Sequence, residues 1–209
     1  MTVVTILVGL LIGTLVGISG IGGAVMLLPL LILALDVPPL IAIGSDAVFA
    51  SVTKIGAGVI HLRQKTVDLK MVIFLALGSL PGALIGFRAL TLLRDTHGEG
   101  IDEIMRTMIG LLLVILPAFM LAQIQILKAR EEGDGFGSNH DDVKKLQTVL
   151  VGLIGGTLVG LTSVGSGSVI LVGLLMIYRR PPALLVGTDI VHAVFLTALT
   201  GSLHYSILD

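Results

Sequence analysis

The run Gly13–Leu35 reads GTLVGISGIGGAVMLLPLLILAL, apolar throughout yet broken in its middle by Ser19-Gly20-Ile21-Gly22-Gly23. Counted from Val3, this stretch would reach roughly 50 Å as one straight helix at about 1.5 Å per residue, more than a bilayer core needs. Glycine clusters and Pro29 are where a helix yields. The run therefore predicts two helical pieces meeting at Ser19–Gly23. The chain uses this opening twice. Gly13-Thr14-Leu15-Val16-Gly17 returns unchanged as Gly156-Thr157-Leu158-Val159-Gly160. At the same offset of 143 residues, Pro38-Pro39 returns as Pro181-Pro182, Gly44-Ser45-Asp46 as Gly187-Thr188-Asp189, and His61 as His204. Four motifs in one register predict an internal duplication of 13–66 onto 156–209.

The rest of the chain fits a bilayer better than water. Its mean hydropathy is +1.06, and only 13% of its residues are charged, about half the share of a soluble domain. Several runs reach the roughly 20 apolar residues that a membrane helix needs. The expected class is all-α and polytopic, built of two inverted repeats with glycine-broken helices. Residues 1–127 form the first repeat, 128–147 a polar connector, and 148–209 an incomplete second repeat. Without cysteine there are no disulfides and no thiolate metal sites. No basic patch points to nucleic acid, no compact His/Asp/Glu cluster points to a metal, and no cofactor is expected. The first run lacks a basic start, so it reads as a membrane segment and not as a signal peptide.

In chain order, Asp36 and Pro38-Pro39 make a turn, and Leu40–Leu62 is a span holding Asp46 and Lys54. A basic loop, 63–70, leads to a span at Leu69–Leu90 with Gly78, Pro81, Gly82 and Gly86, small residues that allow close helix packing. A polar loop is expected at Arg94–Arg106 and a span at Thr107–Leu127. After the connector, Thr148–Tyr178 is again a long run broken in the middle, at Thr162–Ser168. Arg179-Arg180-Pro181-Pro182 is a turn, and Ala183–Tyr205 the last span.

Suppose each broken run enters and leaves on the same side. Arg63, Lys65, Lys70, Lys128, Arg130, Lys144, Lys145, Arg179 and Arg180 then fall together, against Arg88, Arg94 and Arg106 opposite. Cytoplasmic loops are enriched in Lys and Arg, so the connector is expected in the cytoplasm and the N-terminus outside. Three full spans between the repeat starts invert the second copy.

The breaks are the leading site. A helix that begins inside a membrane points free N–H groups and a positive dipole end at the gap, which suits an anion. Ser19, Gly20, Gly22 and Gly23 form one break; Thr162, Ser163, Gly165 and Ser166, with Ser168, form the other. Gly22 and Gly165 match in register and are expected to bring the backbone nearest the substrate. The alternative is that these small residues only let helices pack. Lys54, well inside a span, is costly by roughly 3 kcal/mol unless it faces an interior. It either attracts the anion or snorkels to the interface; the matching residue is Thr197. Asp46 and Asp189 either start their helices, with Ser45 and Thr188 as caps, or couple transport to a proton or cation, with His192 one turn from Asp189. His61 and His204 are expected at the interface.

The ordered set Gly20-Ile21-Gly22-Gly23, Pro29, Val37-Pro38-Pro39, His61-Leu62-Arg63-Gln64-Lys65-Thr66-Val67-Asp68 and Leu77-Gly78-Ser79-Leu80-Pro81-Gly82-Ala83-Leu84-Ile85-Gly86 resembles the sulfite exporter TauE/SafE family over nearly the whole chain. The resemblance implies movement of small anions, often sulfur oxyanions or organosulfonates, across the cytoplasmic membrane of a prokaryote. Members of the family usually continue past the second basic loop with helices matching 69–127, which this sequence, ending at Asp209, does not show. The partners implied are the lipid bilayer and a small anionic substrate, with homo-oligomer formation left open. Two other readings stand beside it. One is a channel or a non-transporting membrane subunit. The other is a rhomboid-like serine protease, from the literal G-x-S-G at Gly17-Ile18-Ser19-Gly20; against it, no histidine is followed by a matching H-x-x-x-N, and no catalytic residue is assigned.

Overall fold

The structure is a computed structural model that describes residues 9, 10, 14, 24–132 and 143–208. The described elements are α1 (Ala24–Pro29) running into a π-helical turn (Leu30–Ala34), α2 (Pro39–Arg63), α3 (Leu69–His97), α4 (Ile101–Glu132), α5 (Lys145–Thr162), α6 (Val169–Ile177) and α7 (Pro182–Leu208), with a short 3-10 turn, Gly98–Gly100, between α3 and α4. Among them α2, α3, α5 and α7 (as Pro182–Ser206) are long and apolar enough to cross a membrane. The protein is an all-α, multi-pass membrane protein.

Local chemistry sets the boundaries. Pro39 opens α2 at a position where a missing N–H costs nothing. Asp68 caps α3, accepting from the amides of Lys70 at 2.9 Å and Met71 at 3.1 Å. Asp102 and Glu103 lie in the first turn of α4, where negative charge complements the dipole. The polar loop expected at Arg94–Arg106 shrinks to three residues, because α3 runs on to His97 and stops where Gly98 adopts a φ of +52°. Charged side chains there ride on helices that rise out of the apolar layer, so polarity alone marked no break.

The tightest packing is between α3 and α5, which run parallel with their backbones in contact. Gly78 lies on Val149 and Leu153, and Gly86 on Thr157 and Leu161. In return Gly152 lies on Leu75, Gly156 on Ser79 and Gly160 on Ala83. Every fourth residue on each helix is thus glycine, and two stripes interlock as lipid-embedded helices do when no side chain keeps them apart.

Helices α2 and α7, the matched helices of the two copies, run antiparallel. A Cβ on Gly58 would stand 3.6 Å from Val191, and one on Gly201 would stand 3.4 Å from Val48. These two contacts exchange under the offset of 143 residues. Helix α7 also runs parallel to α3, joined by Asp68 N–H donating to Thr188 Oγ1 (2.9 Å) at one end and by the Phe87 and His204 rings (5.6 Å between centroids) toward the other.

Helix α6 folds back along α5. Gly155 faces Ile170, Gly173 faces Val151, and the Tyr178 hydroxyl bonds Thr148 Oγ1 at 2.6 Å and accepts from Lys144 N–H at 2.8 Å. The second broken run therefore returns to the end at which it began. At that end Arg180 pairs with Asp68, Lys144 reaches the Ile177 carbonyl at 3.1 Å, and Lys145 lies over the Phe74 ring. The opposite end carries the Arg106–Asp36 pair at 3.2 Å. Outer faces present Val52, Ile73, Leu77, Ile85, Leu111 and Val114, all exposed, as a lipid-facing surface requires.

Candidate functional site

The break between α5 and α6 is built by two left-handed residues. Ser163 ends α5 with φ +60°, its N–H held by the Val159 carbonyl at 2.8 Å, and Gly165 follows at φ +117°. That second conformation is one that side chains rarely adopt. Residues Thr162, Ser163, Ser166 and Ser168 are all buried here. Thr162 spends its hydroxyl on its own helix, donating to the Leu158 carbonyl at 2.8 Å and accepting from Val164 N–H at 3.3 Å. It is a helix-end residue with that hydroxyl turned to its own helix. Helix α6 starts at Val169 with no side-chain cap, and its Ile170 amide donates to the Gly165 carbonyl of the break at 3.4 Å.

Lys54 reaches this break from α2. Its ammonium donates to the Ser166 carbonyl and, at 2.8 Å, to Ser166 Oγ. The side chain is turned into the protein rather than snorkelling outward. Ser163 Oγ donates to Asp46 Oδ2 at 2.7 Å. From α7, Asp189 and His192 complete the cluster, and Lys54 interacts electrostatically with both of them and with Asp46. Helix α3 contributes Ser79, whose hydroxyl lies 2.6 Å from His192 Nε2. Among the described residues, Asp46 Oδ1, Asp189 Oδ1 and His192 Nδ1 are buried with no hydrogen-bond partner.

Several expectations change. Asp46 and Asp189 do not start their helices: α2 begins at Pro39 and α7 at Pro182, so both carboxylates sit about two turns in and are buried. Thr188 is no cap either, since its hydroxyl donates to the Leu184 carbonyl at 2.6 Å. His204 is buried inside the protein, against Phe87, and bonds the Thr200 carbonyl at 2.7 Å. Thr197, which matches Lys54, turns its hydroxyl to the Ala193 carbonyl at 2.7 Å. The first break, with Ser19, Gly20, Gly22 and Gly23, and with it the protease reading of Ser19, lies outside the described residues. Ser79 is the residue that sequence reasoning passed over. It stands in a glycine stripe read as packing, and the only trace of it in the sequence was a hydroxyl in midspan.

Brought together are Lys54, Asp46, Ser163, Gly165, Ser166, Asp189 and His192, one cation and two carboxylates around a broken helix. Such a set can exchange the partners of its ammonium: a small anion can take the place of the Ser166 carbonyl on Lys54, with serine hydroxyls and backbone amides as further donors.

Residues 5–208 match the sulfite exporter TauE/SafE family. The chain is 36% identical over 206 residues to "Probable membrane transporter protein YjnA" of Bacillus subtilis (strain 168), covering 99% of this chain and 80% of that one. It is 24% identical over 221 residues to "Probable membrane transporter protein YunE" of the same organism, covering 98% of this chain and 78% of that one. It is 28% identical over 211 residues to a "Probable membrane transporter protein" of Xylella fastidiosa (strain Temecula1 / ATCC 700964), covering 99% and 75%. No solved structure matches.

Proposed function

The chain belongs to the sulfite exporter TauE/SafE family of membrane transporters, and from that premise we propose that it carries small oxyanions across the cytoplasmic membrane of a prokaryote, sulfite and organosulfonates being the substrate class. The observation that carries this reading is the Lys54 ammonium, on a membrane helix, engaging Ser166 at the break between α5 and α6. A charge in a span is costly by roughly 3 kcal/mol, and a cation seated at the uncapped start of a helix is a place for an anion. Inverted repeats are part of the proposal. They are supported by the antiparallel α2–α7 pair and its two exchanged contacts, Gly58 with Val191 and Gly201 with Val48. Inversion sets two like halves around one midplane site and gives alternating access.

The test is counterflow. Protein is placed in proteoliposomes loaded with unlabelled isethionate, and uptake of labelled isethionate or sulfite at trace concentration is followed. A transporter shows transient accumulation above equilibrium, whereas a channel shows none. Lys54→Met removes the charge and keeps the length, and should abolish counterflow in monodisperse protein. Undiminished counterflow in Lys54→Met refutes the assignment of this residue.

A further inference from the structure

We infer that each anion is carried together with a proton that rides on the buried carboxylates Asp46 and Asp189. The inference rests on the anion reading above and deepens it. The groups that face the cluster are Asp46 and Lys54 from α2, Asp189 and His192 from α7, Ser79 from α3, and Ser163 and Ser166 from the break. Helix α6 has no ionisable residue, and in α5 only Lys145, at its start, is charged. One ammonium thus faces two carboxylates. With both carboxylates ionised the cluster is already negative by one charge. An anion arriving beside Lys54 adds a second negative charge in a medium that screens it poorly. The site fills without that penalty if a proton comes with the anion.

The geometry provides the place for it. Asp46 has one oxygen engaged by Ser163 and the other, Oδ1, buried without a partner. Asp189 Oδ1 is likewise buried and unpartnered. With Ser163 bonded to Asp46, Asp189 is the freer to take a proton. His192 shares its Nε2 with Ser79 and leaves Nδ1 without a partner, a relay position for that proton. The step is a plain transfer. A proton leaves bulk water on one face and bonds an Asp189 oxygen. Lys54, no longer facing two ionised carboxylates, exchanges the Ser166 carbonyl for the anion, and proton and anion leave together on the other face. A divalent metal fits less well, because among the described residues no group of three His, Cys, Asp or Glu side chains could hold one.

The experiment uses the whole chain in proteoliposomes with voltage clamped by valinomycin and equal potassium. The probe is labelled isethionate, which stays ionised and carries no proton itself. An inward proton gradient of one pH unit should drive about ten-fold accumulation for one proton per anion, with internal acidification read by trapped pyranine, and a protonophore should collapse both. Asp189→Asn should lose the accumulation and the acidification, and Asp46→Asn should weaken them, in each case relative to that variant's own counterflow. Parent protein that shows counterflow but no response to the pH step overturns the inference. So does accumulation driven by a sodium gradient alone, or proton-driven accumulation unchanged in Asp189→Asn. Absence of counterflow in the parent defeats the anion reading itself, and this inference with it.

Discussion

Replacing Gly156 with alanine puts a methyl group where α3 already has backbone. A Cβ at Gly156 would stand 2.6 Å from Ser79 Cα and 2.7 Å from its carbonyl carbon. Carbon atoms rest about 3.5–4.0 Å apart, so the helices must part by roughly 1 Å. Neither neighbour is a flexible side chain that could turn away, and on both sides the next glycines of the interlocked stripes are in contact too. Overpacking of this kind costs roughly 1–3 kcal/mol. The middle of that range corresponds to roughly 4–8 °C in melting midpoint for a chain of this size. The shift also draws Ser79 away from His192 and tilts the helix that ends in the break. Gly110, on α4, has nothing within 4 Å of its added Cβ, so Gly110→Ala is the control and should melt at or above the parent. The assay is thermal unfolding in detergent, read by the monodisperse peak remaining after heating, with counterflow on the survivors. A Gly156→Ala protein that melts with the parent would refute the claim that α3 and α5 touch through their backbones.

Three further outcomes are expected. Gly165→Ala should lower the amount of folded protein, and not only anion binding, because a φ of +117° costs a side chain about 1–3 kcal/mol; normal yield and melting with lost counterflow would show that the glycine serves only the substrate. Asp68→Ala should destabilise more than Asp68→Asn, by about 1 kcal/mol, since asparagine keeps a cap acceptor for α3 while both lose the charge opposite Arg180; equal melting of the two would remove the cap. A single cysteine at Ser138 should be shielded from an impermeant thiol reagent in intact cells and react once they are opened, as a cytoplasmic connector requires; labelling of intact cells would reverse the orientation.

The sequence by itself determined what is local or periodic. Apolar length made α2, α3, α5 and α7 membrane helices, the duplication matched α2 with α7, and the glycines of Thr162–Ser168 marked a break, because a helix needs only its own residues to form or to fail. Lys54 was legible as a charge within a span, but not whether it turned inward or snorkelled to the interface. The stripe Gly78, Gly82 and Gly86 announced a close neighbour without naming it. Which groups meet was decided only by the tertiary structure. Lys54 finds Ser166 across 112 residues of chain and Ser79 finds His192 across 113. Partners so distant are set by how the interlocked α3–α5 pair and the antiparallel α2–α7 pair stack. No pattern along the chain carries that information, because a hydroxyl in midspan reads the same whether it faces lipid, a carbonyl or a histidine.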